Sequence, residues 1–137
     1  MGNYVDYSKT VVRFASLYNA SALIFFLVPG ALPFLGVTEP YSSFWRVLPA
    51  LLASYAALVL WLSSSDVVRY VSFPFWNGII RIVFATVALV SCYHVTVGSF
   101  ILWLALGDLL IGVLCLLLIK AATQKTFVQL LLNRSSS

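Results

Sequence analysis

The residues most able to do chemistry in this chain are a few polar side chains set inside long apolar runs. Asp108 lies in the stretch LWLALGDLLIGVL, which is otherwise apolar. A carboxylate left alone in such surroundings is costly, so it either carries a proton or has a partner. A protonated Asp108 donates a hydrogen bond to a ligand carbonyl, whereas an ionised one holds an arginine or accepts a proton. Three roles therefore stay open: joining helices, serving a ligand or proton, and contacting another subunit.

Four other residues are candidates to join Asp108 in one intramembrane polar site. Asp108 lies about nine residues from the outer end of its predicted helix, which places it roughly 13 Å deep. Arg46 begins the second predicted helix at the outer edge, on the small-residue face, and ranks first as its partner. Arg81 enters from the inner side and ranks second, Tyr55 or water ranks third, and Asn19 lies nearer the inner half.

Patterns typical of catalysis or metal binding are not found in the sequence. The single histidine, His94, forms neither a Ser–His–Asp set nor a bis-histidine haem site within one chain. Cys92 and Cys115 lie in apolar runs without CxxC or metal-ligand spacing. The glycine-containing stretches lack the lysine of a phosphate-binding loop. We therefore expect no catalytic residues, no metal and no enzyme activity, and any bound cofactor is expected to be a lipid or a quinone.

The composition defines the class of protein that carries these residues. Of 137 residues, 62% are hydrophobic and 9% are charged, whereas soluble domains average about 25% charged residues. Lipid solvates the outside of an integral membrane protein, so such a protein needs no polar cover. The net charge of +4 comes from basic residues scattered at the ends of apolar runs. This pattern is typical of lipid-headgroup anchors, and we expect no nucleic-acid binding.

Four apolar runs are long enough to cross a membrane as helices, which takes about 20 residues. They cover about residues 12–35, 46–63, 76–95 and 99–120, and Pro29, Gly30 and Pro33 disturb the far end of the first. Only HVTVGS separates the last two runs, which predicts a tight helical hairpin. The sequence predicts an all-α fold, a single domain over residues 1–137 built as a bundle of four transmembrane helices. The tail after residue 120 either extends the fourth helix or lies along the headgroups.

The basic residues also predict the orientation of the chain. With the N-terminus inside, the inner side carries Lys9, Arg13, Arg69, Arg81, Lys120, Lys125 and Arg134. The outer side carries Arg46 alone. This asymmetry predicts that both termini are short cytoplasmic tails, in a membrane that we expect to be a bacterial inner membrane. The aromatic residues near the predicted boundaries are typical of an interfacial belt: Tyr41, Trp45, Tyr70, Trp76 and Trp103.

Each predicted helix has one face of small residues. In the fourth helix this face carries Ala105, Asp108, Gly112 and Cys115, and a second face carries Leu106, Leu110, Leu114 and Leu117. The small faces of the other three are Ala15, Asn19 and Ala22; Arg46, Ala50, Ala53 and Ala57; and Arg81, Ala85, Ala88 and Cys92. Membrane helices associate through small residues, so Asp108 is predicted to face protein and not lipid. The small faces meet either within the chain or against a neighbouring subunit.

The order of short motifs along the chain resembles a known group. The motifs are RFASLYN, VPG, FWR, ASYAAL, SDVVR and GDLL. In this order they resemble the small four-helix bacterial membrane proteins near the DoxX group, although the glycine- and glutamate-rich segments typical of that group are missing. The resemblance implies a small membrane subunit working beside a quinone-linked oxidoreductase. It also implies that Tyr18, Asn19, Arg46 and Asp108 are the marked polar positions.

These observations lead to one leading functional hypothesis and two alternatives. The leading hypothesis is a non-catalytic accessory or structural subunit of a larger membrane complex, energy-transducing or otherwise, with other membrane subunits and lipids as partners. The first alternative is a lipid- or quinone-binding protein that uses Asp108 and Arg46 as the polar end of an apolar pocket. The second is a homo-oligomeric channel or carrier in which Asp108 lines a central axis.

Overall fold

The computed structural model describes residues 2–94 and 99–132, and every regular element in these ranges is a helix. The helices are α1 (Gly2–Leu27), α2 (Ala31–Phe34), α3 (Ser43–Ser63), α4 (Ser72–His94), α5 (Ser99–Thr123) and α6 (Phe127–Leu131). Within α1, α3, α4 and α5 lie segments long and apolar enough to cross a membrane. This confirms the all-α class and the four candidate spans. The connection predicted as a tight hairpin, residues 95–98, lies outside the described residues, as do the side chains of Cys92 and His94.

Two of the helices begin well before the apolar runs that predicted them. α1 begins at Gly2 and not near residue 12. The hydroxyls of Ser8 and Thr10 donate to carbonyls four residues earlier, so both polar side chains have a hydrogen-bond partner within the helix. α4 begins at Ser72 and not near residue 76. Pro74 lies in its first turn, where the missing backbone N–H has no partner to lose.

The predicted disturbance at the end of the first run is confirmed. α1 ends at Leu27, two residues before Pro29, because a proline disfavours helical geometry in the residue before it. Gly30 follows with a φ of +81°, in the left-handed region where a glycine is unstrained. The chain then forms the single turn of α2.

The four long helices pack as one bundle. α4 lies against α5, α1 lies against α3, α1 and α5 join the two pairs, and α3 touches α4 over a shorter length. Large side chains fill the core at the end where α1 begins and α5 ends, including Val12, Leu60, Phe75 and Ile119. Towards the other end a smaller cluster of Ala85, Ala88 and Ala105 holds α4 against α5.

The predicted faces of the helices are confirmed where side chains are described. The four small-face residues of α5 are buried, and the four leucines of its second face are exposed. Ala15, Ala50, Ala57, Arg81, Ala85 and Ala88 are buried as well. The small faces therefore meet largely within the chain, which was one of the two arrangements that the sequence left open.

The tail does not extend α5 without a break but forms a separate short helix, and its predicted place along the headgroups stays a prediction. α5 ends at Thr123, Gln124 takes a positive φ of 57°, and Thr126 caps α6 through a reciprocal pair of hydrogen bonds with Gln129. Phe127 then lies against Phe75, with ring centroids 6.4 Å apart. These contacts dock α6 on the beginning of α4.

Candidate functional site

A buried arginine forms the centre of the polar site. Arg81 is 4% exposed, and its guanidinium reaches three helices. Its Nε donates to Oδ1 of Asn77 at 2.8 Å, and its Nη1 donates to Oδ1 of Asp108, with which it forms an ion pair. Its Nη2 donates to the carbonyl of Ala15 at 3.1 Å and to Oδ1 of Asn19 at 2.5 Å. The network therefore joins α1, α4 and α5.

The position of the pair explains why so many partners are needed. Arg81 and Asp108 each lie nine positions after the first residue of their helix, or roughly 13 Å along it. Gly78 of α4 contacts Gly112 of α5, and Arg81, three residues later in α4, contacts Asp108, four residues earlier in α5. The two helices are therefore antiparallel. The pair thus lies near the middle of the spans. A guanidinium has five N–H donors, and a buried charge is tolerated only when it is paired and hydrogen-bonded.

Close helix packing lets the pair form. A Cβ on Gly112 would lie 2.8 Å from the carbonyl oxygen of Gly78, and a Cβ on Gly78 would lie 3.1 Å from the carbonyl oxygen of Gly112. Two glycines facing each other therefore bring the backbones of α4 and α5 into contact, a use of small residues that is common between membrane helices. The crossing lies one turn from Arg81 and Asp108.

Tyr18 completes the site from α1. Its ring lies below the guanidinium of Arg81, with the carbon Cζ of Arg81 5.2 Å from the ring centroid, a distance typical of a cation–π contact. Its hydroxyl donates to the carbonyl of Leu104 at 3.4 Å. Gly107 leaves room for this hydroxyl, because a Cβ there would lie 3.1 Å from it.

An apolar cleft between α1 and α5 leads to this network. Its volume is about 410 Å³, and its walls include the aromatic side chains of Phe25, Phe100 and Trp103. Phe25 and Phe100 contact each other across the cleft, with ring centroids 5.4 Å apart. Asn19 and Asp108 line the same cleft and form its polar end. We call this space the α1–α5 cleft.

The structure corrects the predicted partner of Asp108. Arg46 was ranked first, and this prediction was wrong: Arg46 lies in the first turn of α3 and pairs with Glu39, Nη1 to Oε1, at 3.6 Å. α5 packs on α1 and α4, so the arginine that reaches Asp108 is Arg81, which was ranked second.

Tyr55, ranked third with water, does not join the site either. Its side chain is 67% exposed and lines a different cleft of about 470 Å³ between α3 and α4, which we call the α3–α4 cleft. Asn19 and Arg81 join Asp108 as candidate site residues, whereas Arg46 and Tyr55 lie elsewhere.

Two members of the site were not found from residue spacing. Asn77 precedes Arg81 by four positions, so the two lie on one face of α4. This spacing is the signal in the sequence that could have identified Asn77. Tyr18 was marked by the resemblance alone. The carbonyl of Ala15 also accepts from Arg81, but it is a backbone group, so the residue type does not predict this contact.

The site therefore consists of a buried ion pair, Arg81 with Asp108, whose charges cancel, beside the apolar α1–α5 cleft. Among the described residues no group of three or more histidines, cysteines or acidic residues is placed to hold a metal ion. No protein-family model, curated protein or solved structure matches the chain, so the resemblance to the DoxX group stays a prediction.

Proposed function

We propose that this protein binds a membrane amphiphile, a lipid or a quinone, in the α1–α5 cleft. The observation that carries the proposal is an apolar cleft whose polar end belongs to a buried ion-pair network. Sites for small molecules are typically apolar spaces of this size with a few convergent polar groups. The cleft lies between two of the four helices that are long and apolar enough to cross a membrane, which supports a ligand that dissolves in the membrane.

The polar end offers both kinds of hydrogen-bonding group. Oδ1 of Asn19 is held by Arg81, which leaves the amide N–H groups of Asn19 as donors. The carboxylate of Asp108 is the acceptor that lines the same cleft. A carbonyl of a quinone accepts from Asn19, and a hydroxyl of a quinol or lipid donates to Asp108. Phe25 and Trp103 provide the apolar walls for the chain or ring of the ligand.

Filling the cleft tests the proposal without touching the ion pair. Ala22 lines the α1–α5 cleft and Ala56 lines the α3–α4 cleft, so Ala22→Phe and Ala56→Phe are matched substitutions. Both proteins are purified in mild detergent, and the bound lipids and quinones are extracted and quantified by mass spectrometry. We expect Ala22→Phe to lose a ligand that the parent and Ala56→Phe retain. Equal retention in all three proteins, with helicity unchanged, counts against the cleft as a binding site.

The orientation is also a proposal. One end of the bundle carries Lys9, Arg13, Arg69, Lys120 and Lys125, and the other carries Arg46. Arg81 no longer counts towards either end, because it is buried within the bundle. The remaining asymmetry supports cytoplasmic N- and C-termini, whereas the bacterial inner membrane rests only on the resemblance to the DoxX group. A C-terminal fusion to alkaline phosphatase is expected to be inactive, and an active fusion contradicts this orientation.

The hypothesis of an accessory subunit stays a prediction, but one of the observations that supported it no longer does so. It rested partly on small-residue faces available to a neighbour, and these faces are largely covered by the chain's own helices. Co-purification from the native membrane tests it directly. The channel hypothesis required Asp108 to line an axis between copies, but its carboxylate is paired with Arg81 inside the chain. The buried ion pair therefore argues against the channel hypothesis.

A further inference from the structure

The bend between α5 and α6 forms another cleft, separate from the α1–α5 and α3–α4 clefts. We propose that this bend binds the phosphate of an anionic phospholipid. The cleft has a volume of about 310 Å³ and is lined by Leu117, Lys120, Ala121, Gln124, Lys125 and Thr126. It lies at the end of a membrane-spanning helix, where lipid headgroups meet the protein.

Two lysines give the cleft an uncompensated positive charge. Among the described residues the ion pairs are Arg46 with Glu39 and Arg81 with Asp108, so neither Lys120 nor Lys125 is neutralised by a carboxylate. The residues lining the cleft include no acidic side chain. Lys120 holds its Nζ 5.0 Å from the ring centroid of Phe127, and this contact helps to position its ammonium group.

The end of α5 would normally weaken an anion site, because its last carbonyls carry partial negative charge. Gln124 counters this effect with two hydrogen bonds. Its backbone N–H donates to the carbonyl of Lys120 at 3.0 Å, and its Nε2 donates to the carbonyl of Ala121 at 3.0 Å. Two of the last carbonyls of α5 therefore already have donors. Lys120 and Lys125 are the only side chains with a full charge among the residues that line the cleft.

The wall of the cleft indicates a lipid and not a free anion. Leu117 is 55% exposed and lies one helical turn from Lys120 towards the middle of the membrane. An acyl chain extends along such a surface while its phosphate stays at the lysines.

Native mass spectrometry with lipids of defined charge tests the proposal. The full-length protein is mixed in detergent with phosphatidylglycerol or with phosphatidylcholine of the same acyl chains. We expect the parent to retain phosphatidylglycerol preferentially. We expect Lys120→Gln/Lys125→Gln to lose this preference by about fivefold for each lysine, since a lysine near an anionic surface is worth about 1 kcal/mol. Lys120→Arg/Lys125→Arg is expected to keep it.

A matched control separates this cleft from the general charge of the protein end. Lys9→Gln/Arg69→Gln also removes two positive charges from this end of the bundle, but at positions away from the cleft. If this control loses the preference as strongly as the lysine pair, the proposal is overturned. It is also overturned if excess inorganic phosphate displaces phosphatidylglycerol fully, because the site is then one for a free anion. The test does not involve the α1–α5 cleft, so each proposal stands or fails alone.

Discussion

Two arginines in this chain each meet one carboxylate, in opposite environments. Arg81 and Asp108 have side chains that are 5% and 12% exposed, near the middle of the spans. Arg46 and Glu39 have side chains that are 29% and 44% exposed, where α2 leads into α3, and their charged atoms lie 3.6 Å apart. The same two kinds of charged group therefore appear once in the core and once at the edge.

The partners around each pair differ more than the pairs themselves. Arg81 donates to side chains and a carbonyl of α1 and α4 as well as to Asp108, and Tyr18 packs on its guanidinium. Arg46 has an Nε that is buried without a hydrogen-bond partner among the described residues. A charge held in the core requires this complete set of partners, whereas the exposed parts of Arg46 and Glu39 are solvated by water and only the Nε of Arg46 is left without a partner. The comparison predicts unequal consequences when each pair is broken.

Breaking the buried pair is expected to have the largest effect on stability. Asp108→Leu leaves Arg81 charged in the core, because a guanidinium cannot release its proton. We expect the free energy of unfolding to fall by about 3–5 kcal/mol. Arg81→Met is expected to cost less, since a carboxylate without its cation can take up a proton and become neutral. The midpoint of SDS-induced unfolding, followed by circular dichroism in mild detergent, measures both effects.

The double variant Arg81→Met/Asp108→Leu is the control for this experiment. With both charges removed and apolar side chains of similar size in their place, much of the stability is expected to return. The asymmetry between the two single variants is the sharper test. If Arg81→Met destabilises the protein as much as Asp108→Leu does, the argument from proton uptake is wrong.

Separating α4 from α5 is expected to have an intermediate effect. A Cβ on Gly112 would lie 2.8 Å from the carbonyl oxygen of Gly78, and a backbone atom cannot move aside as a side chain does. Gly112→Ala is therefore expected to lower the free energy of unfolding by about 1–3 kcal/mol in the same SDS titration. Gly107→Ala is the matched control with a smaller effect, because its nearest neighbour is the hydroxyl end of Tyr18.

The glycine substitution also probes the buried pair. If close packing holds Arg81 against Asp108, part of the pair's stabilisation is already lost in Gly112→Ala. The combined variant Gly112→Ala/Asp108→Leu should then lose less stability than the sum of the two single losses. Additive losses indicate that the glycine crossing and the ion pair stabilise the bundle independently.

The sequence predicted the direction of each helix face better than the neighbour that each face meets. Helical spacing placed Asp108 with Ala105, Gly112 and Cys115, and all four are buried. The spacing of residues along one helix does not show which other helices lie beside it. Arg46 ranked above Arg81 because both were judged by depth and helix face without knowledge of neighbours, whereas the bundle places α4 and not α3 beside α5.

The parts of the site that the sequence did not predict depend on tertiary contacts. The carbonyl of Ala15 accepts from Arg81 because α1 lies beside α4 at that depth, and residue types do not encode this. Glu39 lies in the segment between α2 and α3, and its Oε1 accepts from the backbone N–H of Gly30 and pairs with Arg46. Its position depends on the left-handed turn at Gly30. Local turn geometry of this kind is only partly visible in a sequence.

Breaking the exposed pair is expected to have the smallest effect. Arg46→Gln removes a charge that water already solvates and an Nε that lacks a described partner, so the free energy of unfolding should change by less than about 1 kcal/mol. Glu39→Gln should change it as little, because an amide oxygen still accepts from the N–H of Gly30. Both variants are measured in the same SDS titration at low and high salt, and salt should reduce the small difference further. A loss for Arg46→Gln equal to that for Asp108→Leu would mean that exposure does not decide the worth of these pairs. The loss at the edge would then have to come from loosening of the loop that Glu39 ties to α3.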